Sequence, residues 1–300
     1  MPAPGHPLHE ALFHYYCEFD AVALLNQCMV PGLSPTADAL TNFLGTRIPA
    51  KIHPDILAPM MGHVEGVPNP GNWHADIAEW AAALRAVSLA RDTFRIVELG
   101  CGWGCWLVNT GVAARARGLK VDLIGVEGDA NHLANAAETL ALNGFAPDQF
   151  ALHHGVAGPK PGKALFPNAA AGTAGWGGEA VFYPDDQTLG RAKADPNVQV
   201  LDCLTLSDMA QGAPIDLLHI DIQGAEADYV AGSDAAIAAQ VKRVLIGTHS
   251  RAIEGRLCAF FLDRGWRLEM DRPAIAPPAQ GRPEIAIDGV QMWSNPALPD

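Results

Sequence analysis

Between residues 74 and 270 the chain alternates short apolar runs with longer stretches of helical periodicity. Ile96, Val97 and Leu99 form an apolar run that ends in the glycine cluster Gly100-Cys101-Gly102-Trp103-Gly104. Such a run predicts a buried parallel strand entering a tight loop, and the apolar-rich stretch Cys105 to Arg117 predicts the helix that follows. Val121–Val126, Phe150–His154, Ile215–Asp221 and Val244–His249 read as further strands. Asn131–Leu142, a segment beginning after Glu226 and another ending near Arg264 read as the helices between them, with Asp129 suited to cap the first. In residues 74–91, Ile77, Trp80, Ala81, Leu84 and Val87 lie at helical spacing, so an amphipathic helix should cover one sheet face. Gly265–Met270 and Gly289–Trp293 are the last two strands, joined by a proline-rich stretch, 273–283, as a long hairpin closing the sheet edge. Strand and helix in alternation predict an α/β, doubly wound sheet with helices on both faces.

The flanks depart from that rhythm. Residues 8–30 read as one helix stopped by Pro31-Gly32, and 36–44 as a shorter one. Prolines 49, 54, 59, 68 and 70 predict extended or turn structure from 48 to 72. Residues 1–73 are thus expected to be a helical, proline-rich extension, acting as a lid or a homodimer contact, ahead of a main domain spanning 74–300. His53, His63 and His74 have no metal-ligand spacing and read as surface or capping residues. Asp202–Met209 reads as a short helical connector. Residues 158–196 are rich in Gly, Ala and Pro and carry Phe166, Trp176, Phe182 and Tyr183. So long a loop is expected to serve as a substrate wall or to pack on the surface.

Composition removes several function classes. With 300 residues, 49% hydrophobic and 18% charged, the chain has ordinary globular composition. A net charge of -13 argues against a nucleic-acid partner, whose phosphates require clustered Lys and Arg. No Asn/Asp-Pro-Pro-Tyr segment is present to grip a flipped base. No apolar run approaches the ~20 residues of a membrane span, and Met-Pro-Ala-Pro-Gly-His does not read as a secretory leader. The 6 cysteines lack framework spacing, so reduced thiols and a cytoplasmic location are expected.

The glycine loop is where a ligand is expected. Its three alternate glycines allow a sharp turn and close backbone approach. A dinucleotide fingerprint wants a third glycine where Cys105 stands. An acid, Glu98, precedes the loop; it would repel a pyrophosphate but could accept from an ammonium group. That favours S-adenosylmethionine over NAD. Glu127, at the end of the next strand, is placed to accept both ribose hydroxyls. The cofactor-binding candidates are therefore Glu98, Gly100, Cys101, Gly102, Trp103, Gly104, Glu127 and Gly128.

Ligands of open α/β sheets bind beyond the carboxyl ends of the strands. Asp221 and His249 stand at two such ends, and His219 shares a strand face with Asp221. The three are the catalytic candidates, with a base acting on an acceptor hydroxyl as the leading role. Two histidines and a carboxylate could also hold a divalent metal, and a purely structural role is the third reading.

These residues resemble the FkbM family of class I S-adenosylmethionine-dependent methyltransferases. The resemblance covers roughly residues 95–295 and rests on Val97-Glu98-Leu99-Gly100-Cys101-Gly102-Trp103-Gly104, on Gly125-Val126-Glu127, and above all on His219-Ile220-Asp221-Ile222-Gln223-Gly224-Ala225-Glu226. The last segment is similar to the family's K-I-D-V-E-G-A-E signature, with Gln223 where the family has Glu and Gly247 where it often has an acid. The resemblance implies a Rossmann-like seven-stranded sheet with one antiparallel strand, and O-methylation of a small-molecule, sugar or natural-product hydroxyl. A hard cation would prefer the two carboxylates that Gln223 and Gly247 remove, so a metal-free base is favoured. The rival readings are a nicotinamide-dependent oxidoreductase and a cofactor-binding protein without turnover.

Overall fold

The computed structural model describes residues 14–168, 175–277 and 285–300. Among them, an eight-stranded sheet runs through the molecule in the order β1-β13-β14-β12-β11-β4-β5-β6. Its centre is β4 (Thr93–Leu99), flanked by β5 (Lys120–Glu127) and β11 (Leu217–Ile220). β6 (Phe150–His154) and β12 (Arg243–Thr248) extend it on either side, all in parallel. β13 (Arg267–Arg272) and β14 (Gly289–Ser294) form the expected hairpin, with β14 antiparallel to both neighbours. The strand order reverses between β4 and β11, and that crevice holds the site. Part of the hairpin connection, 278–283, lies outside the described residues.

Helices cover both faces. α2 (Ile77–Leu89) is capped by Asp76, whose side chain accepts from the Ala78 and Glu79 N–H groups, and Trp80, Leu84 and Val87 are buried. α3 (Cys105–Ala116) and α4 (Ala130–Leu142) follow β4 and β5, and Asp129 caps α4 as expected. α9 (Arg251–Asp263) packs the opposite face through Leu257 and Phe261, where Phe261 stacks on Trp293 at 5.1 Å.

The extension differs from its sequence reading. Residues 8–13 lie outside the described residues, and 14–30 are not one helix. Tyr16–Cys17 form β1, which pairs with β13 as an eighth strand, and α1 (Ala21–Cys28) starts only where the Asp20 side chain accepts from Ala23 N–H. Residues 36–44 are not helical either. The Asn42 side chain accepts from the Leu44 and Thr46 N–H groups at 3.0 Å each, tightening a hairpin of β2 (Leu40–Thr41) and β3 (Arg47–Ile48). Leu40, Phe43 and Leu44 are buried by that route instead. In the proline-rich part, Ala50–Ile52, Pro54–Leu57 and Ala58–Met60 are short helical turns, with proline accommodated in the first turn. The extension joins the buried cluster of α2 and β4.

Residues 158–196 are not a structureless loop, although 169–174 lie outside the described residues. β8 (Gly162–Pro167) and β9 (Val181–Phe182) combine with β7 (Val156–Ala157) and β10 (Val198–Leu204) in a four-stranded sheet. α5 (Asp186–Ala192) connects them. Asp202–Leu204 belongs to β10; helix begins at Leu206, after Thr205 and Asp208 close a capping box. Small and polar residues hid these strands because their shared core is only Val156, Ala164, Leu201 and Cys203.

The tightest backbone contact in the sheet centre is at Gly100, whose φ is 73°, and a Cβ there would lie 1.9 Å from the Asp221 carbonyl oxygen. Gly100→Ala is expected to cost at least about 3 kcal/mol, from strain plus a backbone clash that no side chain can relieve. Urea unfolding measures it; a loss below about 1 kcal/mol would show that the strand ends can separate freely.

Candidate active site

The glycine loop leaves β4 with Gly100, Gly102 and Gly104 all in the left-handed region. Gly100 and Cys101 N–H both donate to the Val126 carbonyl, tying the loop to β5. Glu127, 8% exposed, completes the tie: its Oε2 accepts from Gly102 N–H and its Oε1 from Asp129 N–H, each at 2.8 Å. The carboxylate expected to hold ligand hydroxyls is thus also what fixes the loop.

Glu98 has a similar double position. Its oxygens accept from Trp106 N–H at 3.3 Å and Leu107 N–H at 2.9 Å, capping α3 where the N-cap residue is Gly104 and has no side chain to offer. Burial pushes its carboxyl up to about 8 despite those two bonds. Glu98 is first a helix cap, and a ligand ammonium would have to share it. Cys101 and Cys105 are buried, and burial raises both thiols well above their usual range. Trp103 packs against Trp73 at 5.8 Å and edge-on to His74 at 5.4 Å.

These residues line a cavity of about 210 Å³ with Gly128 and His132. Its far wall comes from the insert: Phe166 on β8, then Trp176 to Gly178. A Cβ on Gly128 would lie 2.7 Å from the Phe166 ring, so only glycine lets the insert close down there. Trp176 sits 4.3 Å from His132 and 6.4 Å from His53. Of the expected aromatic wall, Phe166, Trp176 and Phe182 line the cavity, whereas Tyr183 turns away to donate to the Lys160 carbonyl. No spacing in the sequence pointed to His132.

Asp221 ends β11 and opens a turn in which Gln223, at φ 54°, and Gly224, at φ 103°, are left-handed. The turn is closed by Glu226, fully buried, whose Oε1 accepts from Ile222 and Gly224 N–H at 3.2 and 3.0 Å. His249, at the end of β12, bridges the turn. Its Nδ1 donates to Glu226 Oε1 at 2.9 Å and its Nε2 faces Asp221 Oδ1 at 3.3 Å. Gln223 Nε2 donates to the same Oδ1 at 3.1 Å. Glu226 was quoted in the sequence motif but given no role; only the fold brings it against His249.

The charges follow from this packing. Burial alone would lower His249, but the Glu226 hydrogen bond and the negative Asp221, Glu226 and Asp288 raise it to about 9. It is an imidazolium at neutral pH. Burial lifts Asp221 to about 6, held down by His249. His219, 3% exposed, is lowered by burial to about 3, and burial lowers His74 to about 4. His219 makes no hydrogen bond to Asp221 and lies in the cavity wall with its ring 5.8 Å from that of Trp106. His74 is no surface residue: it packs between Trp103 and Trp106.

A second cavity, of about 460 Å³, lies on the other side of Asp221 and includes Asn72, Glu79, Gly247, His249, Arg272 and Asp288 in its lining. Asp221, His74 and Trp106 belong to both cavities. At Gly247 a Cβ would stand 3.7 Å from Asp221 Oδ2, so the glycine leaves that oxygen open to the second cavity.

The model of the methyltransferase FkbM domain matches residues 91–269. A protein of Jannaschia sp. (strain CCS1), provisionally named a methyltransferase, is 54% identical over 268 residues, covering 89% of this chain and 96% of its own. The FkbM methyltransferase structure from Methylobacillus flagellatus KT has a TM-score of 0.44 at 14% identity, covering 73% of this chain. The present chain spans only 54% of that one. Precorrin-6y C5,15-methyltransferase from Geobacter metallireducens GS-15 has a TM-score of 0.39 at 9% identity, over 72% of this chain and 87% of its own. Among the described residues, no helix is long and apolar enough to cross a membrane.

The His249 clamp has a pH signature. Its folded-state pKa stands above its unfolded value, so its stabilisation is fully present below about 6.5 and is lost as pH rises through about 9. Other raised carboxylates also titrate, so the difference between the protein and its His249→Gln variant is the quantity to measure. Urea unfolding should give a gap on the order of 3 kcal/mol at pH 6, shrinking as pH approaches 10. A gap that is constant or grows with pH would mean His249 folds uncharged.

Proposed function

Because the chain belongs to the methyltransferase FkbM family, we propose that it transfers the methyl group of S-adenosylmethionine to a hydroxyl oxygen of a small molecule or glycan. One observation carries this reading: Asp221 is a shared wall between the glycine-loop cavity and a second, polar cavity. A donor on one side and an acceptor on the other would meet at its carboxylate, the in-line arrangement that methyl transfer requires.

The first cavity fits the cofactor in chemistry. At Gly102 a Cβ would have only the Trp176 ring near it, at 3.5 Å, so the space above the loop backbone is free for a ligand. Glu127 presents a carboxylate for ribose hydroxyls at that point, and the rings of Phe166 and Trp176 offer apolar surface to a base. When bound, S-adenosylmethionine supplies an electrophilic methyl on a sulfonium and needs no redox partner.

The remaining work belongs to the chain. Asp221 is the base for the acceptor hydroxyl: ionised above about 6, it keeps Oδ2 free while Oδ1 is held by His249 and Gln223. His249 is charged at neutral pH and cannot itself take the proton; it orients Asp221 and keeps it ionised. Asp221, Glu226 and His249 have ligand atoms within 4.8 Å of one another. A cation bound there would have to displace the His249 proton, and the metal-free base remains our reading. His219, neutral and enclosed, is a wall residue. The binding-only alternative is separated by an acceptor screen with isotopically labelled cofactor, scored by mass gain.

Two outcomes are expected. Glu127→Ala should weaken S-adenosylhomocysteine binding at least about tenfold in calorimetry, since two charge-assisted bonds exceed the ~1.4 kcal/mol that a factor of ten requires. Unchanged affinity would remove the cofactor from this cavity. Once an acceptor is found, Asp221→Asn should lower kcat by roughly 10²–10⁴ with S-adenosylhomocysteine affinity within about twofold. The rate should rise through about pH 6 and fall through about 9. In His249→Gln the rising limb should move to higher pH, because the cation that lowers Asp221 is gone. A limb that stays put would assign the base elsewhere.

A further inference from the structure

The second cavity has a feature that base catalysis does not use. Asn72, Asp76 and Glu79 enter it from the start of α2, Arg272 from β13 and Asp288 from the segment before β14. All five lie outside the span 91–269 that matches the family domain. They come from the segments that flank the matched span and gather around the shared Asp221.

Their charges do not balance. Asp76, Glu79, Asp221 and Asp288 face Arg272 and the His249 imidazolium. Arg272 is already engaged: its Nε lies 2.6 Å from Asp76 Oδ2, and its Nη1 donates to the Asp288 carbonyl at 2.6 Å. His249 is engaged by Asp221 and Glu226. Glu79 is left over. It stands three residues after the N-cap Asp76, where a Glu ordinarily reaches back to close a capping box, yet that reciprocal bond is not made. Its carboxylate has no hydrogen-bond partner among the described residues, and it lines the cavity. Burial and the neighbouring Asp76 outweigh Arg272 and push Glu79 up to about 8. The one cation near its ionised form, Arg272, is already paired with Asp76, so a further cation in the cavity would stabilise it.

We infer that this cavity takes an acceptor bearing an ammonium group beside the reacting hydroxyl, an amino sugar or amino alcohol, and that Glu79 is the residue that selects it. The hydroxyl faces Asp221 Oδ2 across the space opened by Gly247, while the ammonium pairs with Glu79. The inference rests on the methyltransferase reading above, and it adds the charge of the acceptor. The amine stays unmethylated in this arrangement, because it is held at Glu79, which is not among the residues lining the cofactor cavity.

Three sugars of one ring test it: glucosamine as the cation, glucose as the neutral probe and glucuronate as the anion. Each is titrated at pH 7 into the protein saturated with S-adenosylhomocysteine, by calorimetry or ligand-observed NMR. Glucosamine should bind at least about fivefold more tightly than glucose, and glucuronate most weakly. Glu79→Gln should reduce the glucosamine preference to within about twofold while S-adenosylhomocysteine affinity is unchanged, which also reports that the variant is folded. Equal binding of glucose and glucosamine overturns the inference, as does a preference that survives in Glu79→Gln. Failure of all three sugars to bind the loaded protein overturns it too. Failure of the unaltered protein to bind S-adenosylhomocysteine overturns instead the reading on which it rests.

Discussion

The site depends on the contact between Gly100 and the carbonyl of Asp221. β4 and β11 run side by side, and Asp221 N–H donates to the Leu99 carbonyl at 3.0 Å, so the two chains leave the sheet together. Where they part, any Cβ on Gly100 would occupy the position of the Asp221 oxygen. This close approach brings the glycine loop and the Asp221 turn into contact. The two cavities therefore share a wall that includes Asp221 rather than facing each other across a domain, as the proposed transfer from donor to acceptor needs. Methyl transfer needs that distance to be short and fixed, because positioning supplies most of its acceleration.

Buried carboxylates carry the second level of organisation. Glu98 caps α3, Glu127 holds Gly102 and Asp129, and Glu226 closes its own turn. Each accepts from backbone N–H groups that a tight turn would otherwise leave without partners. That use fixes loop shape before any ligand arrives, and it accounts for why acids flank the glycines in both turns. Asp221 differs, since its Oδ1 accepts from side chains and its Oδ2 has open space at Gly247. Of these four acids it is the one whose spare oxygen faces a cavity, whereas Glu226 Oε2 is buried without a partner. His249, clamped between Asp221 and Glu226, lets two carboxylates stand close together without one of them protonating.

The segments flanking the family domain do not form a separate layer. β1 extends the main sheet, the Asn42 side chain donates to Asn109 on α3 at 2.7 Å, and Arg272 pairs with Asp76 across the second cavity. The insert treats the other cavity likewise, bringing Phe166 and Trp176 over the loop. The central strands thus supply the glycine loop and the Asp221 turn, and peripheral segments wall the two cavities beside them.

The sequence by itself determined the core of this fold. Runs such as Ile96-Val97 and Leu217-Leu218 are buried on both sides, so their apolar character is unbroken and their identity as parallel strands is legible locally. The glycine loop was equally legible, because left-handed backbone demands glycine whatever surrounds it. Glu98, Glu127, Asp221 and His249 were placed at strand ends by counting alone. Only the tertiary structure decided what those side chains do. Glu98 turns out to cap a helix and His249 to lie between two carboxylates, because the N–H groups of Trp106 and Leu107 and the carboxylate of Glu226 come from elsewhere in the chain. The extension and the insert misled for a related reason. Their strands and turns are held by partners such as Asp271 for Tyr16 and the β10 residues for β8, so no local periodicity marks them. A charge or a short strand acquires its role from its neighbours in space, and those neighbours are set by the sheet order, which no local stretch of sequence contains.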